Sequence, residues 1–346
     1  MSYYLLAILI FYVGVGLSAT YGGTARGVLF IFAVPMLLLV CLRGHTGTDT
    51  AAYYTAFTDL DRGNGYGSEP VFNLFSRALW WIDPDPRFVV DSISLTAGVL
   101  MLWGIGRSRY GAWFGGLLMV PAMFYELTMN VMRFGLASSI FLLATAVPFE
   151  KKPARYLLLA LLGTGMHFSS ALLFILFIPA TKRRHMLIVL SLAVIALAVS
   201  VLMPEYLSDK TDLYAGMAAP NESSGLMFLT LQASMLFVIV HFRRQFRVPI
   251  AGLSLFGALA IACYVLTQVT YAGIRFQLLL MYLMNVVLMR QYAPRNGRMS
   301  PRLAACLFVI GLVAMAGRFH NMLDEEGRGA SPFLPYRAIP ALEEFQ

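Results

Sequence analysis

The sequence predicts an all-α polytopic membrane protein, and three observations carry that prediction. Hydrophobic residues make up 59% of the 346-residue chain and charged ones 13%, against about 25% charged in soluble domains. The mean hydropathy is +0.70. The apolar residues gather in runs near 3–18, 27–42, 88–105, 112–125, 131–148, 155–180, 186–203, 226–242, 250–271, 274–289 and 302–317. Most of these approach the ~20 residues needed to cross a hydrocarbon core.

The first run has no basic segment before it and no Ala-x-Ala site after it, so a retained helix is expected rather than a signal peptide. Tyr3, Tyr4, Trp80, Trp81 and Trp113 sit at the ends of apolar stretches, as aromatics do at membrane interfaces. After the second run comes the first long polar interruption, 43–70, with Arg43, His45, Asp49, Asp59, Asp61 and Glu69. Val71, Phe72, Phe75, Leu79 and Trp80 then follow helical spacing, which predicts an amphipathic helix lying on the outer surface. Loop and helix together form one outer-face element over 43–87, closed by the breaker Asp83-Pro84-Asp85-Pro86.

Orientation follows from Lys and Arg in short loops. Arg107/Arg109, Lys151/Lys152/Arg155, Lys182/Arg183/Arg184, Arg243/Arg244/Arg247 and Arg290/Arg295/Arg298/Arg302 mark cytoplasmic loops, with Arg26 marking a weaker one. The loop at 204–225 carries Glu205, Asp209, Asp212 and Glu222 against Lys210 and is expected outside. The segment 156–180 has basic loops on both sides. A hairpin entering from the cytoplasm and returning to it reconciles them, with its turn at Gly163, Thr164, Gly165, Met166 and His167, where two glycines permit a break. Each arm then has only about 12 residues, roughly 18 Å, which makes the hairpin re-entrant. Broken backbone at that depth needs protein or a wet cavity around it. The count is about 12 membrane passes with both termini outside, one integral domain over 1–346, and an outer tail over 318–346.

Several function classes are disfavoured. Cys41, Cys263 and Cys306 all lie in apolar runs and offer neither a disulfide framework nor metal-ligand spacing. The net charge of +8 reflects the loops and is not a nucleic-acid signature. No His-Glu-x-x-His, P-loop or Gly-x-Ser-x-Gly pattern occurs. That argues against an embedded metalloprotease and a nucleotide motor, and no cofactor or metal is expected.

The informative residues are those that break the topology. Arg43 follows the second run, Arg133 sits just inside the outer end of its run, Arg275 lies in a short outer turn at 270–276, and Arg318 and His320 follow the last run. His167 reaches the same side from the hairpin tip. Basic residues are disfavoured outside and cost ~2.5–3.5 kcal/mol at a span's centre. Several on one face suggest a polyanion site, since arginine's planar fork binds phosphate with two parallel hydrogen bonds. Each has a plainer reading. Arg43 and Arg318 also suit interface anchoring; Arg133 has Glu126 as a local ion-pair partner; Arg275 suits an ordinary turn; His167 suits packing. Among the acids, Asp49, four residues before Tyr53, and Glu69 serve equally as a general base or as a holder of an arginine. Glu69 also suits a helix N-terminus.

Arg43-x3-Gly47-Thr48-Asp49-x3-Tyr53-x3-Phe57 followed by Glu69 resembles the opening signature of the EpsG-like family of bacterial polysaccharide polymerases, relatives of the Wzy O-antigen polymerases. Met132-Arg133-Phe134-Gly135-Leu136-Ala137 is similar to that family's Arg-Gln-x-Leu-Ala helix start, with Phe134 where Gln is usual. Met166-His167-Phe168-Ser169-Ser170-Ala171-Leu172 is similar to its Phe-His-x-Ser-Ala segment, and Arg275 stands where a later outer-face arginine is expected.

The resemblance implies a GT-C-like glycosyltransferase of the bacterial inner membrane with its site at the periplasmic or outer-leaflet face. It would transfer a growing glycan from undecaprenyl pyrophosphate to a sugar hydroxyl of a second lipid-linked repeat unit. Donor, acceptor and membrane lipid are then its partners, together with chain-length or export proteins. The expected roles place Arg43, Arg133, Arg275, Tyr53, Arg318 and His320 on substrate, and His167, Asp49 or Glu69 as general base. Rival readings are an O-antigen-ligase-type transferase, a flippase for the same lipid and an export-complex scaffold. The flippase ranks lower because Arg133, Asp91 and His167 are nearly the only ionisable groups at membrane depth.

Overall fold

The computed structural model describes residues 1–20, 26–44, 46–47, 49–58, 68–149, 151–181, 224–294, 296–323, 333–336 and 338. The run 186–203, the basic loop 182–184, His45, Thr48, Asp59, Asp61, and most of the loop 204–225 and of the tail 318–346 lie outside the described residues.

All regular elements among the described residues are helices: α1 (Ser2–Thr20), α2 (Arg26–Cys41), α3 (Thr50–Thr58), α4 (Pro70–Ile82), α5 (Pro86–Gly106), α6 (Gly111–Asn130), α7 (Met132–Ala144), α8 (Pro153–Met166), α9 (Ala171–Thr181), α10 (Leu226–His241), α11 (Ile250–Thr267), α12 (Ala272–Gln291) and α13 (Pro301–Leu323). Six of them, α1, α5, α6, α11, α12 and α13, are long and apolar enough to cross a membrane, and α2, α7 and α10 are shorter apolar helices. The chain divides into two compact units, Met1–Ser170 with Leu307–Gln346, and Ala171–Cys306.

In the first unit α1 packs on α2, α2 on α5, α5 on α7 and α7 on α8, while α4 lies against α5 and α8. Pro70 opens α4 at the first helical position, where its missing N–H costs nothing. The helix ends at Asp83, held extended by the following Pro84. Asp85 caps α5 by accepting a hydrogen bond from the Arg87 N–H at 2.9 Å. The apolar face expected for the amphipathic helix is the face that packs. Phe72 is fully buried, and Val71, Phe75, Leu79 and Trp80 join it against Tyr53, Phe57, Val89, Ile93 and Leu136.

α6 contains two π-helical stretches, Gly115–Met119 and Glu126–Asn130. The second ends at Val131, whose φ of −84° and ψ of 57° turn the chain sharply into α7. Gly135 makes this corner sterically possible, because a β-carbon there would stand 1.8 Å from the Leu127 carbonyl oxygen. The corner puts Arg133 in the first turn of α7.

The segment 156–180 is broken, but not at its glycines. α8 runs through Gly163 and Gly165 to Met166, and the extended residue is His167, with φ −159° and ψ 116°. A 3-10 turn, Phe168–Ser170, leads into α9. Gly165 serves close packing instead: a β-carbon there would lie 2.3 Å from Val71 Cγ2 of α4. The Gly163 carbonyl accepts twice at this break, from the His167 N–H at 3.1 Å and from Ser170 Oγ at 3.0 Å. Two other expected boundaries move. α13 extends to Leu323, so Arg318 and His320 lie inside it, and α12 begins at Ala272, so Arg275 is helical rather than part of a turn.

A short C-terminal piece also docks in the first unit. The Tyr336 hydroxyl donates to the Leu39 carbonyl at 2.9 Å, its ring packs beside Tyr3 and Tyr4, and Ala338 forms an antiparallel bridge with Arg43.

In the second unit α9 and α10 each pack on α11 and α12. Three fully buried polar side chains tie this unit together. Gln232 Nε2 donates to the Gln277 carbonyl at 3.0 Å, Gln277 Nε2 to the Gly225 carbonyl at 3.1 Å, and Thr267 Oγ1 to Gln277 Oε1 at 3.2 Å.

Candidate functional site

Three side chains from three helix boundaries meet in the first unit. Glu69 is the residue before α4, extended at φ −79° and ψ 111° as a residue before proline must be. It stands at the N-terminus of α4, as expected, but its carboxylate makes no capping bond there and turns to other partners. Arg133 Nη1 donates to Glu69 Oε2 at 2.6 Å, and His167 Nδ1 lies 3.0 Å from Glu69 Oε1. Both carboxylate oxygens are engaged.

Burial is divided unequally. The Glu69 side chain is 1% exposed, whereas those of Arg133 and His167 are each 16% exposed. The carboxylate therefore lies behind, and the guanidinium and imidazole face outward. Phe72 underlies Arg133, with the guanidinium carbon 5.9 Å from the ring centroid, a cation–π distance. Phe134 meets the His167 ring edge to face at 6.0 Å. The residue that departs from the family's Gln thus packs on the histidine. Neither aromatic role has a signature in the sequence: Phe72 reads there only as one member of an apolar stripe.

Burial pushes the Glu69 carboxyl up, but the hydrogen bond with His167 and the charge of Arg133 outweigh it and hold the group below the ordinary glutamate value. It is a carboxylate at neutral pH and can only accept. His167 Nδ1 therefore carries the hydrogen in that contact.

The plainer alternative, Arg133 paired with Glu126, is not the pair formed. Glu126 instead pairs with Arg318 of α13 and accepts from Asn130 Nδ2 at 3.1 Å. Arg318 also lies over the Phe333 ring, 5.5 Å from its centroid. It acts as a tie between α6 and α13. His320, two residues on, is exposed.

Arg43 is neither a headgroup anchor nor a surface cation. It is 0% exposed, and it donates to the Thr128 carbonyl and Ser94 Oγ, both at 2.9 Å, and to Met132 Sδ at 3.0 Å. The guanidinium fork is used to join α2 to α5 and to the α6–α7 corner, which takes it out of the set of groups that can meet a large soluble headgroup. Tyr53 is likewise interior, 2% exposed, with its ring 6.3 Å from Phe72. It backs the platform under Arg133 rather than lining the open side. Asp49 stands immediately before α3, half-buried, and its carbonyl accepts from the Tyr53 N–H at 3.0 Å. Arg275 is exposed in the first turn of α12, in the second unit, with no hydrogen bond or ion pair to another described residue.

Among the described residues, no group of three or more His, Cys, Asp and Glu side chains comes together in a way that would hold a metal ion. What the cluster offers is a fixed cation for an anionic group and an imidazole whose orientation is set by a buried carboxylate. That combination suits transfer of a group away from a phosphate leaving group to a hydroxyl acceptor.

The family model described as the EpsG family matches residues 27–338. Neither a search of curated proteins nor one of solved structures returns a match.

Proposed function

The chain belongs to the EpsG family, and from that premise we propose that it is a metal-independent polysaccharide polymerase. It would transfer glycan from an undecaprenyl-pyrophosphate oligosaccharide to a sugar hydroxyl of another lipid-linked repeat unit. The product would be O-antigen, capsule or exopolysaccharide, made at the outer leaflet of the bacterial inner membrane. The overall plan in this reading is GT-C-like with about 12 membrane passes, the basic loops lying in the cytoplasm. Chain-length and export proteins would act on the same product.

The observation that carries the proposal is the Arg133–Glu69–His167 cluster. A lipid pyrophosphate leaves as an anion, and a preorganised guanidinium beside it stabilises the charge as it develops. Arg133 takes that role. The acceptor hydroxyl needs a base within hydrogen-bond reach, and the cluster places an imidazole beside the arginine. Arginine suits the pyrophosphate better than lysine because its fork matches two phosphate oxygens.

The test is polymerisation by the purified protein, in lipid, with a defined undecaprenyl-pyrophosphate oligosaccharide, with and without EDTA. A product ladder in both conditions is expected. No ladder defeats the polymerase reading, and a ladder lost with EDTA defeats metal independence. Transfer only to a lipid-A-core acceptor, with no polymer, establishes the ligase alternative. Movement of the lipid between leaflets without new glycosidic bonds establishes the flippase.

A further inference from the structure

Resting on the polymerase reading, we infer that His167 is the general base, acting through Nε2, and that Glu69 is a positioning residue rather than a base. The geometry separates the two. Glu69 is almost wholly buried with both oxygens occupied, one by Arg133 and one by His167. A carboxylate so placed lacks the exposure to meet an incoming sugar. His167 is more open and sits at a backbone break, where its ring is aimed by the extended residue instead of lying along a helix face.

Glu69 fixes the tautomer. With Nδ1–H directed at Glu69 Oε1, the neutral imidazole carries its lone pair at Nε2. The Glu69 carboxylate orients the ring and raises its basicity, as a carboxylate does for a histidine in an acyl-transfer triad. Phe134 holds one ring edge. In the reaction, the O–H bond of the acceptor sugar breaks and its proton passes to Nε2. The acceptor oxygen forms a bond to the anomeric carbon of the donor. The bond from that carbon to the phosphate oxygen breaks, and its electron pair leaves with the lipid pyrophosphate beside Arg133. The imidazolium then returns its proton to water.

Two charged groups face the ring from the elements packed on it: Glu69 from the start of α4, and Arg133 from α7. The first favours the imidazolium and the second opposes it. Of the other titratable groups on these helices, Arg77 lies about two turns beyond Glu69 on α4, and Arg155 and Tyr156 lie about three turns before His167 on α8.

The pH dependence of polymerisation tests the assignment. In the wild type, protonation of His167 sets the acid limb of kcat/KM. Glu69→Gln keeps the shape and removes the negative charge, so the imidazole stays neutral to lower pH. The acid limb is expected to move down by about one pH unit, while Glu69→Asp keeps it near the wild-type position. A merely structural glutamate would lower the rate without moving the limb, and an unmoved limb in Glu69→Gln overturns the inference. Should Glu69→Gln fail to fold, His167→Gln decides, because its amide can still hydrogen-bond Glu69. A loss of ~100-fold or more is expected, and retention of a tenth of the wild-type rate overturns the assignment. Wild-type protein that makes no polymer at all defeats the polymerase reading instead.

Discussion

Glu69 and Arg133, 64 residues apart in the chain, meet at 2.6 Å where two helices begin. The pair is asymmetric, since the acid is shut away and the base is not. Removing the guanidinium therefore takes away the outward cation and leaves the buried carboxylate with His167 alone. Arg133→Ala is expected to insert into the membrane but to lose ~100-fold or more of its chain-extension rate, the usual scale for one preorganised donor. Arg133→Lys keeps a charge without the fork and is expected to fall between. Polymer length and yield, measured beside membrane-inserted protein, check both; near-normal polymer from Arg133→Ala contradicts the assignment.

The depressed Glu69 pKa predicts a sign for stability against pH. The ionised form is the one stabilised by folding, so its contribution is complete above the ordinary glutamate value of 4.5 and is lost as pH falls through the lower folded value. Melting temperatures of wild type and Glu69→Gln in detergent are expected to differ most near neutral pH, and the gap is expected to narrow as pH falls below 4.5. A gap that is constant from pH 7 down to 3 would rule the ion-pair account out.

Glycine chemistry at the α6–α7 corner predicts a sharp contrast. A β-carbon at Gly135 meets backbone, the Leu127 carbonyl, and backbone cannot rotate away as a side chain can. Gly135→Ala is expected to cost about 1–3 kcal/mol or more, as overpacking does, and to displace Arg133. Gly257 in α11 has nothing within 4 Å, so Gly257→Ala is expected to be neutral or slightly stabilising. Thermal melts of the two variants check the pair, and equal effects would contradict the steric argument.

Arg43 belongs to a different class of prediction. Its Nη1 and Nη2 donate inside the protein, and truncation leaves buried acceptors unmatched. Arg43→Ala is expected to destabilise by roughly 3 kcal/mol. KM for the lipid-linked donor, measured on the fraction that remains folded, is expected to stay within about twofold, whereas a residue gripping pyrophosphate would raise it by ~10-fold or more for a lost charge-assisted bond.

How far the sequence reaches is visible in these four residues. Apolar periodicity locates α5 and the packed face of α4, because both follow from which side chains avoid water. The broken backbone at His167 is legible in the short apolar arms on either side of it. Glu69, Arg133 and His167 each stand out as ionisable groups in an apolar chain. Their mutual contact does not, because it depends on three separate helix ends arriving together. The same limit explains Arg43. Its position after an apolar run suits surface anchoring, and only the packing of α2, α5 and the corner reveals that the side chain turns inward. Glu126, seven residues before Arg133, is the obvious local partner on sequence spacing. The turn at Val131 breaks the helical register that spacing assumes, and Glu126 goes to Arg318. The two glycines of 156–180 mislead for a related reason: a missing β-carbon permits a break, but here it admits a neighbour.

The docked C-terminal piece bears on biogenesis. Tyr336 and Leu39 are bonded across 297 residues, and Ala338 pairs with Arg43 beside them. During synthesis, α1 and α2 enter the membrane long before Tyr336 leaves the ribosome. Closing so distant a contact is slow and comes late. The segment carrying Arg43 therefore gains its backbone bridge to Ala338 only after nearly every described helix has been synthesised.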